Sequence, residues 1–206
     1  MHTENRPLTL EGAIVCLEPL SISHHQALCE VGLDPELWKV TIARVRTSEE
    51  MRAYIETALK TQAEGSTLPF VIIERSLGRI IGSTRYLNID RLNRKLEIGN
   101  TWVAKPWQRT TVNTEAKYLL LRHAFETLGC YRVEFKTDVL NEQSRNALLR
   151  IGAKEEGILR KHSVTQAGRV RDTVYYSILD TEWPGVKKRL EEKLATSNAT
   201  AISKGD

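Results

Sequence analysis

Apolar positions along the chain either alternate with polar ones or gather in short β-branched and aromatic runs, and each run ends in a turn-prone cluster. "AIVCLE" (13–18) predicts a first strand. "LPFVIIE" (68–74), "GRIIGSTRYLNI" (78–89) and "KLEIGNTWV" (95–103) predict three more, with "DRLNRK" as the hairpin connection between the last two. Between the first strand and this group the period becomes helical, over Ser23–Val31 and Ser48–Glu64. The second of these opens on a Ser followed by two acids, a common start for a helix.

A longer helix is predicted from Val112 to Leu128. Ala116, Leu120, Ala124 and Leu128 form one row, with Leu121 and Phe125 beside it, while Glu115, Arg122 and Glu126 share a narrow opposite arc. Such a helix packs on a sheet, and Gly129 stands where a C-cap glycine is expected. "YRVEFKTDV" then predicts a strand, followed by a helix from Asn141 to Ile151 that ends at Gly152. "AKEEGILRKH" and "GRVRDTVYYSIL" predict two closing strands around the turn "SVTQAG", and a short helix begins near Pro184. Residues 1–194 read as one domain, and the small, polar remainder 195–206 as a disordered tail. The order β-αα-βββ-α-β-α-ββ predicts a mixed α/β sheet in which 95–103, the long helix and 131–138 form a right-handed parallel crossover.

Composition narrows the function. A chain of 206 residues, 41% hydrophobic and 27% charged, suits one well-filled core. The formal charge of +4 is spread along the chain without a basic block, which favours a small anionic ligand over nucleic acid, for which there is no recognition motif. Cys16, Cys29 and Cys130 are too scattered for a disulfide framework or a metal site and read as small hydrophobes in a reducing compartment. "MHTENRPLTL" is no leader and no run approaches the ~18 apolar residues of a membrane span, so a cytoplasmic protein is expected.

The chemistry centres on "KPWQRTTVNTEAKYLLL" (105–121), a turn running into a helix start with no glycine before Gly129. Helix amino ends bind phosphate through unpaired N–H groups and the positive dipole end, and Arg109 and three threonines can add to this. Asn113 tolerates left-handed geometry better than most residues. The alternative is that Thr111 simply caps a structural helix.

With "NEQSRNALLRIGAKEEGILR" (141–160) and "LEIGNTWV" (96–103), this stretch resembles the GNAT superfamily of N-acetyltransferases. The closest likeness is to its RimJ/RimL-like branch of protein N-terminal acetyltransferases, in element order over roughly residues 8–185. The resemblance implies a GNAT-like acyl-CoA N-acyltransferase fold: a central, mostly antiparallel sheet with one parallel crossover and flanking helices. It further implies acetyl-CoA as cosubstrate, no metal, an amine acceptor such as a protein N-terminus, and possible homodimerisation. Two alternatives stay open, a small amine or antibiotic as acceptor and an acyl-CoA sensor without turnover.

Residue by residue, the family's diphosphate loop falls on Gln108, Arg109, Thr110, Thr111, Val112, Asn113 and Thr114, with Thr111 and Asn113 where glycine is usual. The backbone of Trp102, Val103 and Ala104 corresponds to the strand edge that holds pantetheine and the thioester carbonyl, and Asn141 and Arg145 to further cofactor contacts. Glu97 is the implied base, acting through water; alternation puts it on one face with Gly99 and Thr101. Leu148 stands where many members have a tyrosine acid, and Ser144, one turn earlier, resembles the serine used instead. Each has a bland alternative: Glu97 as a solvent-facing carboxylate, Ser144 as an ordinary N3 residue and Asn141 as an N-cap. Trp102 and Trp107 wall a channel or pack the core, His123 is structural, and the charges from Arg160 to Asp172 meet an acidic acceptor or form a solvated hairpin.

Overall fold

The computed structural model describes residues 8–202, with side chains described up to residue 196. One eight-stranded sheet organises them in the order β1-β2-β3-β4-β5-β6-β8-β7. Its strands are β1 (Leu10–Glu11), β2 (Val15–Pro19), β3 (Leu68–Glu74), β4 (Arg79–Asp90), β5 (Lys95–Val103), β6 (Arg132–Asp138), β7 (Lys154–Val164) and β8 (Val170–Leu179). Every neighbouring pair is antiparallel except β5 and β6, which are parallel and joined by the long helix, as the element order predicts. β1 has no counterpart in the sequence reading, because two residues show no alternation.

Both faces of the sheet are covered. On one, α1 (His25–Gly32) and α2 (Ser48–Ala63) bury Leu28, Met51, Ile55 and Ala58 with Val71 of β3 and Trp102 of β5. On the other lie α3 (Val112–Arg122), α4 (Glu142–Arg150) and α5 (Trp183–Ile202). There Val112, Ala116, Leu120, Leu148 and Trp183 join Phe70, Ile98, Val133, Phe135 and Tyr176 in a single core.

The central helix departs from expectation in two ways. It is α-helical only to Arg122 and continues through His123–Thr127 as a π turn before ending at Gly129, whose φ is +62°. The buried Tyr86 hydroxyl donates to the Leu120 carbonyl at 2.6 Å beside this turn, with His123 Nδ1 at 3.3 Å, so His123 is structural as expected. Secondly, Glu115 leaves the predicted polar arc. It is 4% exposed and accepts the N–H groups of Ala13, Ile14 and Val15 at 2.7–2.9 Å, fastening the β1–β2 turn to α3.

At the C-terminus α5 runs past the expected stop at Leu194 to Ile202, and 203–206 of the expected tail lie outside the described residues. No helix among the described residues is long and apolar enough to cross a membrane.

Candidate active site

β5 and β6 share three rungs, from Lys95–Arg132 to Glu97–Glu134. Past that point β5 continues to Val103 and β6 to Asp138 without further pairing to each other among the described residues. The sheet therefore opens in its middle, and the functional candidates gather around the opening.

A kink in β5 shapes one wall. Asn100 has φ +46° and the register with β4 shifts there, which is the signature of a bulge. Thr101 is consequently turned away from Glu97 and Gly99, contrary to simple alternation, and its hydroxyl accepts from Lys117 Nζ of α3 at 2.6 Å. Opposite, Gly82 lets β4 come close: a Cβ there would lie 2.2 Å from the Trp102 carbonyl oxygen. The Ala104 N–H is committed to Ile81 O of β4 at 2.8 Å, so alternation directs the polar backbone of Val103 toward the opening. Gln108 Nε2 donates to Val103 O at 2.9 Å, and Gln108 Oε1 accepts from Gln143 Nε2 of α4 at 3.3 Å. Gln108 thus links the end of β5 to the helix that follows β6.

The turn into α3 holds its unusual backbone at Arg109, with φ +61°, rather than at Thr111 or Asn113. This is the left-handed geometry a glycine would supply. Thr111 is right-handed and its side chain makes no cap; Thr110 Oγ1 donates to Trp107 O at 2.7 Å and accepts from Val112 N at 3.3 Å instead. Asn113 lies inside α3, and its buried Oδ1 has no hydrogen-bond partner among the described residues. A helix amino end with an arginine headgroup, hydroxyls and an unpaired amide oxygen fits a diphosphate with a polar ligand chain beyond it.

Glu97 is 6% exposed and faces the α1/α2 side of the sheet, not bulk solvent. Its Oε2 accepts from Asn88 Nδ2 at 2.7 Å and pairs with Lys136 Nζ of β6 at 2.8 Å. Burial disfavours the Lys136 charge, yet the hydrogen bond and charge of Glu97 prevail and raise its pKa. Gly99 leaves room for the other oxygen, Oε1, which a Cβ at that position would approach to 3.1 Å. Lys136 also stands 4.9 Å from the Tyr175 ring centre of β8.

On α4, Asn141 Oδ1 accepts the Ser144 N–H at 3.0 Å, so Asn141 is an N-cap and Ser144 is N3. Leu148 is buried in the core, in keeping with its inability to serve as an acid. Arg145 is engaged elsewhere: it donates to Tyr176 Oη at 3.2 Å and Val139 O at 3.4 Å, and reaches Glu155 at 3.5 Å. Trp102 packs its ring against Trp38, centroids 5.6 Å apart, as core.

Sequence reasoning passed over Asn88, Lys136 and Lys117. The first two become visible only when β4 and β6 are laid beside β5. Lys117 had a signal, since Leu120 and Leu121 at i+3 and i+4 put it on the apolar side of α3. Its fully desolvated ammonium has a pKa lowered to about 7.

The profile described as "Acetyltransferase (GNAT) domain" matches residues 15–154. A Bacillus subtilis (strain 168) protein provisionally named ribosomal N-acetyltransferase YdaF is 41% identical over 110 residues, which are 53% of this chain and 59% of that protein. A crystal structure from T. thermophilus, provisionally described as an acetyltransferase, is 40% identical, with a TM-score of 0.84 over 93% of this chain and 100% of the other. A GCN5-related N-acetyltransferase from Brucella melitensis reaches the same TM-score at 30% identity, over 92% of this chain and 86% of its own. The family match, the topology and the opened sheet agree: the chain belongs to the GNAT family of acetyltransferases.

Proposed function

We propose that the protein transfers the acetyl group of acetyl-CoA to a primary amine, an α-amine at a protein or peptide N-terminus, by direct attack in a ternary complex. The observation that carries this reading is the opening between β5 and β6, with the amino end of α3 at one end and the Glu97 carboxylate at its floor. The ribosomal name of the Bacillus subtilis relative supports the choice of acceptor.

Acetyl-CoA supplies an activated thioester. Arg109, the hydroxyls of Thr111 and Thr114, and the first amides of α3 hold its diphosphate, while Thr110 shapes the turn through its bonds to Trp107 O and Val112 N. The outward backbone of Val103, flanked by Trp102 and Ala104, orients the acyl arm after Gln108 gives up its carbonyl. Asn141 sets the first turn of α4 so that Ser144 stands beside the opening as proton donor to the departing thiolate. Glu97 draws a proton from the attacking amine through water. That requirement is modest for an α-amine, about a seventh of which is already neutral at pH 7, against about 0.04% of a lysine side chain. Arg145 acts behind this wall by bracing α4 against β8.

The test couples binding to turnover. Acetyl-CoA at about 100 times its dissociation constant should stabilise the fold by about 2.7 kcal/mol. Release of free CoA with an N-terminal peptide panel, read together with an acetyl mass increment on the peptide, then distinguishes an enzyme from a sensor. Binding without release under any amine sinks the catalytic reading.

A further inference from the structure

We propose that the acceptor carries a carboxylate close to its amine, and that Arg171 of β8 receives it with the hydroxyls of Ser163 and Thr173; this rests on the acetyltransferase reading above. The three side chains are neighbours by strand register. Ser163 of β7 is the cross-strand partner of Arg171, and Thr173 follows two residues along the same face of β8. Arg171 and Thr173 are 5% and 2% exposed, so these two side chains are withdrawn from solvent in a hairpin whose other charged residues from Arg160 to Asp172 stay exposed or half-buried. Arg171 Nε, Ser163 Oγ and Thr173 Oγ1 are all buried without a hydrogen-bond partner among the described residues.

Local charge leaves room for an anion. Asp138 of β6 is 1% exposed and faces two guanidinium groups. It accepts from Arg169 Nη2 and from the Leu140 N–H, while Arg171 Nε stays 3.8 Å away. One carboxylate therefore serves two cations: Arg169 by direct contact, and Arg171 by a longer ion pair that leaves its buried Nε without a hydrogen bond among the described residues. Two hydroxyls beside a planar, desolvated guanidinium match the oxygens of a carboxylate better than any neutral group.

The place is right for acceptor recognition. Asp138 and Thr173, like Lys136 and Tyr175, are cross-strand partners, so this stretch of β8 runs along the end of β6 that β5 leaves unpaired. Glu97 is close enough for its charge to act on Arg171. Overhead, the β7–β8 turn is tied to the segment between α1 and α2 by Gln166 N to Ile42 O at 3.0 Å and Arg44 N to Gln166 Oε1 at 2.7 Å. The carboxylate has two possible sources, the acidic side chain of a peptide's first residue or the α-carboxylate of a free amino acid.

Isothermal titration with and without saturating CoA separates them, using Glu-Ala-Ala amide, Gln-Ala-Ala amide and free alanine as probes. At least tenfold tighter binding of the Glu peptide than of the Gln peptide identifies a side-chain carboxylate; the same preference for free alanine identifies an α-carboxylate. Arg171→Gln should abolish the preference and leave CoA affinity unchanged, with Arg171→Lys keeping part of it. Thr173→Val, which leaves the charge in place, should reduce the preference severalfold and serves if Arg171→Gln does not fold. Affinities within twofold across the probes, or no binding of any, overturn the proposal. Failure to bind CoA counts against the acetyltransferase reading instead, because the probe preference is also measured without CoA.

Discussion

The Glu97 carboxylate, on the last rung that β5 and β6 share, meets the ammonium of Lys136 two residues beyond that rung at 2.8 Å. The pair stands where the sheet parts, and Asn88 completes its hold on one oxygen at 2.7 Å. Two partners on one oxygen fix the orientation of the carboxylate and leave its other oxygen, Oε1, beside Gly99. Changing Glu97 to Gln preserves the Asn88 side of this arrangement only in part and removes the proton acceptor. Turnover should fall by about 10²–10⁴ while acetyl-CoA affinity stays within about twofold, as measured by thiol release and calorimetry. Unchanged turnover from pH 6 to 9 would remove Glu97 from the mechanism.

Arg109 combines a strained backbone with a candidate phosphate ligand, and two substitutions pull these apart. Arg109→Gly relieves the left-handed geometry, worth about 1 kcal/mol or a rise of about 2–4 °C in the ligand-free melting temperature. Arg109→Ala keeps the strain. Both should weaken CoA binding and flatten its salt dependence, and equal affinity at 50 and 300 mM salt in wild type and variants would move the diphosphate elsewhere.

Glu115 is a structural carboxylate whose loss strands three N–H groups of the β1–β2 turn. Glu115→Ala should cost about 3–5 kcal/mol in urea unfolding, and Glu115→Gln an intermediate amount. Gly12→Ala should act similarly, because its Cβ would lie 2.5 Å from Glu115 Oε2. A loss below about 1 kcal/mol in Glu115→Ala would contradict this role.

Lys117 makes stability depend on pH. Its pKa drops from 10.5 to about 7 on folding, so between those values the unfolded chain holds a proton that the folded chain has released. Wild-type stability should therefore rise with pH across this window, by up to about 1.4 kcal/mol per unit, with the full penalty present below pH 7. Lys117→Met removes the titration. Its advantage over wild type in urea midpoint should be greatest at pH 6 and shrink by pH 9.5; parallel pH profiles would show that Lys117 remains charged in the folded protein.

Much of the fold was legible because its strands and helices are amphipathic over whole segments. β3 and β5 occupy the ranges that their apolar runs predict, and Gly129 and Gly152 end their helices at positive φ. What stayed hidden depends on contacts distant in sequence or on a single dihedral. The Asn100 bulge reverses Thr101, the Glu115 carboxylate answers amides a hundred residues away, and Arg109 takes the strained turn that residue preference assigned to Asn113. The candidate site was half visible for the same reason: the turn into α3 is contiguous, whereas Asn88, Lys136 and Arg171 come from three separate strands.

An opened sheet also presents raw strand margins in mid-molecule, an invitation to pair with a stray extended segment from another chain. Gln108 blunts one such margin by covering the Val103 carbonyl with its own amide while holding Gln143 on the far side. Under the proposed function the side chain that must yield to the acyl arm is the one that, until then, keeps this strand margin from pairing with another chain.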